Sequence, residues 1–138
     1  MSFREKSAWL MALLLTGAGL YYVHLVRGAS QALGETAPPV VVIAFILLLV
    51  NGAVVAQTVL ALSLRKEAAA PADERERLVQ QRAGSWSGLV LATLAVVSLG
   101  HFMIRGDGNM LFHLVLASLI VAQIAEHGFQ ILLFRRSV

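Results

Sequence analysis

The chain has 138 residues, of which 58% are hydrophobic and 14% charged, with a net charge of +3 and no cysteine. A domain this small exposes much of its area and cannot hide so large an apolar share from water. That excludes an ordinary soluble enzyme, a disordered tail and a nucleic-acid-binding module. The missing cysteines exclude a disulfide frame, a thiolate metal site and a cysteine nucleophile.

Four apolar spans account for the composition: 8–26, 39–64, 86–104 and 110–134. A helix needs about 20 residues to cross the ~30 Å hydrocarbon core. Acidic and basic side chains are absent from the first three spans, and the fourth holds one, Glu126. The first span follows Arg4 and Lys6; its run outlasts a signal-peptide core and ends in Tyr21-Tyr22-Val23-His24, so it reads as a retained helix. Gly28, Ser30, Gly34 and the Pro38-Pro39 pair predict a polar turn over 27–38. The loop 65–85 carries Pro71, which stops the second helix. Asp73 with Glu76 three residues on predicts a capping box and a charged helix from about Glu74 into the third span. Its acidic first turn suits the positive end of the helix dipole. Arg105-Gly106-Asp107-Gly108-Asn109 predicts a tight turn before the fourth span.

The expected fold is all-α, a single domain over 1–138 forming an integral membrane four-helix bundle, antiparallel and up-down, because short links place consecutive helices side by side. A soluble bundle would show a polar face on each helix, and these faces are Leu, Val, Ile and Ala. Nine of the eleven basic residues flank the chain ends and the middle loop, against Arg27 and Arg105 on the other side. Basic loops stay cytoplasmic, so both termini and the middle loop are expected there. Trp9, Trp86, Tyr21 and Tyr22 sit near span ends, where amphipathic rings favour the interface. The positive charge is therefore a topology signal, and no nucleic-acid partner is expected beside the lipid bilayer.

Ser2-Phe3-Arg4-Glu5-Lys6-Ser7-Ala8-Trp9, the loop run Pro71-Ala72-Asp73-Glu74-Arg75-Glu76, and Glu126 with Gln130 before Arg135-Arg136 carry a resemblance over the whole chain. The sequence resembles a family of small four-helix bacterial inner-membrane proteins of unknown function. The resemblance implies a multi-pass protein of the bacterial inner membrane and brings no activity with it.

The fourth span holds Gln123, Glu126, His127 and Gln130 within an arc of about 100° on one helix face. Asn51 near the middle of the second span and Gln57 farther on complete a candidate intramembrane polar site. Such residues serve as interhelical glue, or an intramembrane carboxylate beside a histidine binds a proton or cation. His24, His101 and His113 close or open three spans at one predicted depth, the donor types for a transition metal or a haem. No His-x-x-x-His or Glu-x-x-His pair fixes such ligands on one face, and no cofactor is the leading expectation. Asp73, Glu74, Arg75, Glu76 and Arg77 form a charged stretch that caps the third helix, docks a cytoplasmic partner, or bonds to Arg4, Glu5 and Lys6. Gly52/Ala56, Gly88/Ala92 and Ser118/Ala122 are small-residue pairs that let helices approach. No phosphate loop, nucleophile elbow, zincin helix or dinucleotide fingerprint occurs. The leading expectation is a non-enzymatic inner-membrane protein acting through interaction, as a homodimer or with another membrane protein. A small transporter or channel centred on Glu126, and a metal- or haem-binding protein, stand as alternatives.

Overall fold

The computed structural model describes residues 2–33 and 39–136. Among them are five helices and no strand: α1 (Phe3–Leu33), α2 (Pro39–Ser63), α3 (Arg65–Ala68), α4 (Glu74–Arg105) and α5 (Gly108–Arg136). All but α3 are long and apolar enough to cross a membrane.

The first helix is longer than its apolar run at both ends. Ser2 starts it, its Oγ accepting from the Glu5 N–H at 3.3 Å, so Arg4, Glu5 and Lys6 lie in the first turn. At the far end α1 continues through Gly28 and Ser30 to Leu33, where the composition predicted a turn. A glycine inside a helix costs only about 1 kcal/mol against alanine. That is too little by itself to end a helix. The remainder of the expected turn, with Gly34 and Pro38, lies outside the described residues.

The middle segment follows its expected course from Glu74, with one correction. Asp73 caps α4 through Oδ1, which accepts from the Glu74 N–H at 2.7 Å. Glu76 does not close a reciprocal box, because its carboxylate is engaged by Arg4 at 2.9 Å. A charge-assisted bond to a guanidinium is stronger than one to a neutral backbone N–H. The short α3 between Leu64 and Ala69 was not foreseen. The tight turn forms as read: Gly106 sits in the left-handed region at φ 68° and its N–H reaches the Phe102 carbonyl at 2.7 Å. Glycine suits that position because it has no Cβ to clash. Asp107 then opens α5, accepting from the N–H groups of Asn109 and Met110 at 2.9 and 3.1 Å.

The contacts order the long helices α2–α1–α5–α4. A closed bundle would set α2 beside α4, and these two share no extensive contact. As numbers rise along α4 they fall along its partner: Arg75 meets Phe134, Trp86 meets Phe129 and Ser98 meets Ser118. The same holds for α1 against α5, where Trp9 meets Arg135, Gly19 faces Ile120, and Tyr22 meets His113. It holds again for α1 against α2, with Ser7 on Gln57 and Tyr21 on Phe45. The main apolar cluster joins Tyr22, Val42, Phe45 and Ile120 from three helices.

Candidate functional site

The polar stripe of α5 grades from exposed to buried. Gln123 is exposed, Glu126 and His127 are half-buried, and Gln130 is buried. Gln130 Nε2 donates to Glu126 Oε1 at 3.4 Å. The grading follows from where α5 is gripped. Ile120 and Ile124 face Gly19 of α1, whereas Ser118 and Phe129 meet α4. At 100° per residue, Gln123, Glu126 and Gln130 fall between those two faces. The stripe is thus a seam between neighbours, covered at the Gln130 end and open at Gln123.

The other two members of the expected intramembrane site lie elsewhere. Gln57 Oε1 accepts from Ser7 Oγ at 2.9 Å, a bond that ties α2 to α1. Asn51 is exposed, and its Nδ2 donates to the Leu47 carbonyl of its own helix at 2.7 Å. Thr58, one heptad on, does likewise with the Val54 carbonyl at 2.7 Å. The structure therefore brings Glu126, His127 and Gln130 together, joins Gln57 to a residue the sequence did not single out, and turns Asn51 outward.

The three histidines are also separated in character. His113 is 8% exposed, and its Nδ1 pairs with the hydroxyl of Tyr22, itself 5% exposed. Phe45 packs on the Tyr22 ring with centroids 5.0 Å apart, and His113 follows at 6.0 Å. His101 is half-buried and His24 exposed. Among the described residues no group of three or more histidine or carboxylate side chains is placed to hold a metal ion. The sequence reading missed the Tyr22–His113 pair because it assigned Tyr22 to an interfacial belt. No sequence signal set this strip apart: Ala8, Leu15 and Tyr22 are buried together on one face, but the span is apolar all round. A second unforeseen polar contact joins Ser98 to Ser118 at 3.5 Å between α4 and α5.

At the charged end, the segments meet through side chains. Arg4 Nε pairs with Glu76 and Lys6 Nζ with Glu67, each at 2.9 Å. Arg75 Nη2 donates to the Phe134 carbonyl at 3.0 Å, and the Arg135 guanidinium lies 5.4 Å over the Trp9 ring. These bonds bring the start of α1, the segment 65–77 and the end of α5 to one end of the molecule. Partly exposed ion pairs of this kind contribute about 0–1 kcal/mol each. Of the expected docking residues, Asp73, Arg75 and Glu76 bond within the chain, and all five but Glu76 are exposed. An open recess of about 460 Å³ lies beside them, between Arg4, Glu67, Pro71 and Asp73.

Compared with known proteins, the chain matches no family model, no curated protein and no solved structure.

Proposed function

We propose that this chain is a non-enzymatic, multi-pass protein of the bacterial inner membrane that acts through interaction with another membrane polypeptide. In this reading the long helices form an up-down antiparallel bundle with both termini and the segment 65–77 in the cytoplasm. The falling registers of α1, α2, α4 and α5 support the up-down arrangement. The basic residues gathered at one end support the orientation, because basic flanks stay cytoplasmic. The observation that carries the interaction itself is Asn51, an exposed carboxamide in the middle of a charge-free helix. In hydrocarbon a polar group without full partners is costly, so such side chains are ordinarily turned toward another helix. Native mass spectrometry from mild detergent, with crosslinking in membranes beforehand, should show the chain in an assembly; a monomer alone under both conditions overturns the proposal.

A second reading is favoured by one geometry, the Glu126–Gln130 bond on a seam that opens at Gln123. Here Glu126 takes up a proton or cation within the membrane, with His127 beside it. Glu126→Gln should then abolish proton-coupled flux in proteoliposomes, and equal flux in that variant removes this reading.

A further inference from the structure

We propose that the partner is a second copy of this chain, docked α2 against α2 about a two-fold axis with the two Asn51 carboxamides hydrogen-bonded to each other. The proposal rests on the interaction reading above and names its surface and occupant.

Ala44, Leu48, Asn51, Val55, Thr58 and Leu62 alternate at spacings of four and three, and all six are exposed. Leu48, Val55 and Leu62 form one edge of this seam and are 69%, 60% and 54% exposed. Ala44, Asn51 and Thr58 form the other. A 3.5-residue repeat is the pattern that keeps one helix in register along another, and membrane helices cross mostly at the same shallow angle as coiled coils. Asn51 and Thr58, two of the three exposed polar residues of α2, fall on this repeat one heptad apart, while Ser63 lies off it at the helix end.

The chemistry of Asn51 selects the occupant. Its Nδ2 reaches the Leu47 carbonyl, and among the described residues Oδ1 meets no donor. A carboxamide is both donor and acceptor, so two of them facing each other across a two-fold axis satisfy both sides. A two-fold contact sets one patch against itself, which a charge-free seam tolerates and a charged one does not. No Asp, Glu, Lys or Arg occurs anywhere in α2. Space is also present. A Cβ added at Gly52, beside the seam, would meet nothing within 4 Å, so this chain's own packing does not require a glycine there. Next to it a groove of about 350 Å³ runs between α1 and α2, lined by Gly17, Tyr21, Phe45, Leu48 and Gly52. It has room for a side chain from an approaching helix. Gln123 is the other exposed carboxamide of a span, but it sits between the faces that α1 and α4 occupy. The α2 seam has no such flanking helix, since α2 packs extensively on no other long helix than α1.

The absence of native cysteine makes the test direct. Single cysteines at Leu48, Val55 and Leu62 should give disulfide-linked dimers on oxidation in membranes. Cysteines at Phe45 and Leu49, turned to α1, and at Leu89 and Val96 on the outward face of α4, should not. Asn51→Leu should weaken self-association, read by energy transfer in vesicles, by about 3- to 30-fold, and Asn51→Gln should restore part of the loss. Crosslinks on α4 with none on the seam, or unchanged association in Asn51→Leu, overturn this interface while the interaction reading stands. A monomer in every crosslinking and native-mass experiment overturns both.

Discussion

In α5 the polar residues His113, Ser118 and Gln130 are buried, and the helix is gripped on two faces by α1 and α4. In α2 the polar residues Asn51 and Thr58 are exposed, and the helix leans on α1 along one face. The side-chain chemistry is similar. What differs is the number of neighbours. A helix with two neighbours can set a polar side chain against another helix, as His113 does with Tyr22; Ser118, which donates to its own Leu114 carbonyl at 2.7 Å, also lies 3.5 Å from Ser98. A helix with one neighbour has a single inward strip, which α2 fills with Val42, Phe45, Leu49 and Gln57. Its remaining polar residues fall back on their own i−4 carbonyls, the only partners in reach. An inward-turned polar residue of a span thus meets a neighbouring helix, whereas an outward-turned one bonds its own helix, as Thr16, Asn51, Thr58 and Thr93 do.

The largest expected effect comes from glycines placed on the two sides of this contrast. A Cβ at Gly19 would lie 3.3 Å from Ile120 Cγ2, whereas one at Gly52 meets nothing. Both changes to leucine improve helix propensity equally, so in the monomer their difference isolates the clash. Gly19→Leu should be less stable than Gly52→Leu by about 1–3 kcal/mol, the usual range for overpacking, in SDS-titrated unfolding. Equal stability would dissolve the distinction between gripped and free faces.

Hydrogen bonds give a smaller separation. Tyr22→Phe removes the hydroxyl from His113 and should lower stability by about 0.6–1.7 kcal/mol. Thr58→Val removes a hydroxyl bonded only within its own turn and should leave the monomer unchanged. A loss in Thr58→Val as large as in Tyr22→Phe would mean that the outward face already carries internal contacts. The smallest effect belongs to the charged end, where water competes for the same groups. A double-mutant cycle on Arg4 and Glu76 should give a coupling of about 0.2–1 kcal/mol. That coupling should shrink at 1 M salt, because the pair is partly exposed and the Debye length falls to about 3 Å. A coupling insensitive to salt would place the pair in a drier setting than its exposure indicates.

Much of the architecture was legible in the residues. The span lengths mark four membrane-crossing helices because hydrocarbon thickness fixes the residue count. Gly106 and Asp107 mark the turn because left-handed backbone and an open helix start each demand a particular residue type. Asp73 marks the start of α4 for the same reason. The candidate site was legible only as an inventory. Glu126 and Gln130 are one turn apart on a single helix, so their bond follows from local spacing alone. Gln57 and Glu126 read as comparable in depth, but depth does not say which way a side chain points.

The sequence by itself determined which segments form the long apolar helices, where α4 and α5 begin, and which end collects the charge. Those properties come from neighbours within a turn or two and from the thickness and polarity of the solvent. Only the tertiary structure decided that α5 sits between α1 and α4, that Tyr22 reaches His113, and that Asn51 faces away from its own chain. Such facts depend on the rotation of each helix about its axis. In a span that is apolar all round, no polar face exists to declare that rotation, and side-chain packing alone selects it.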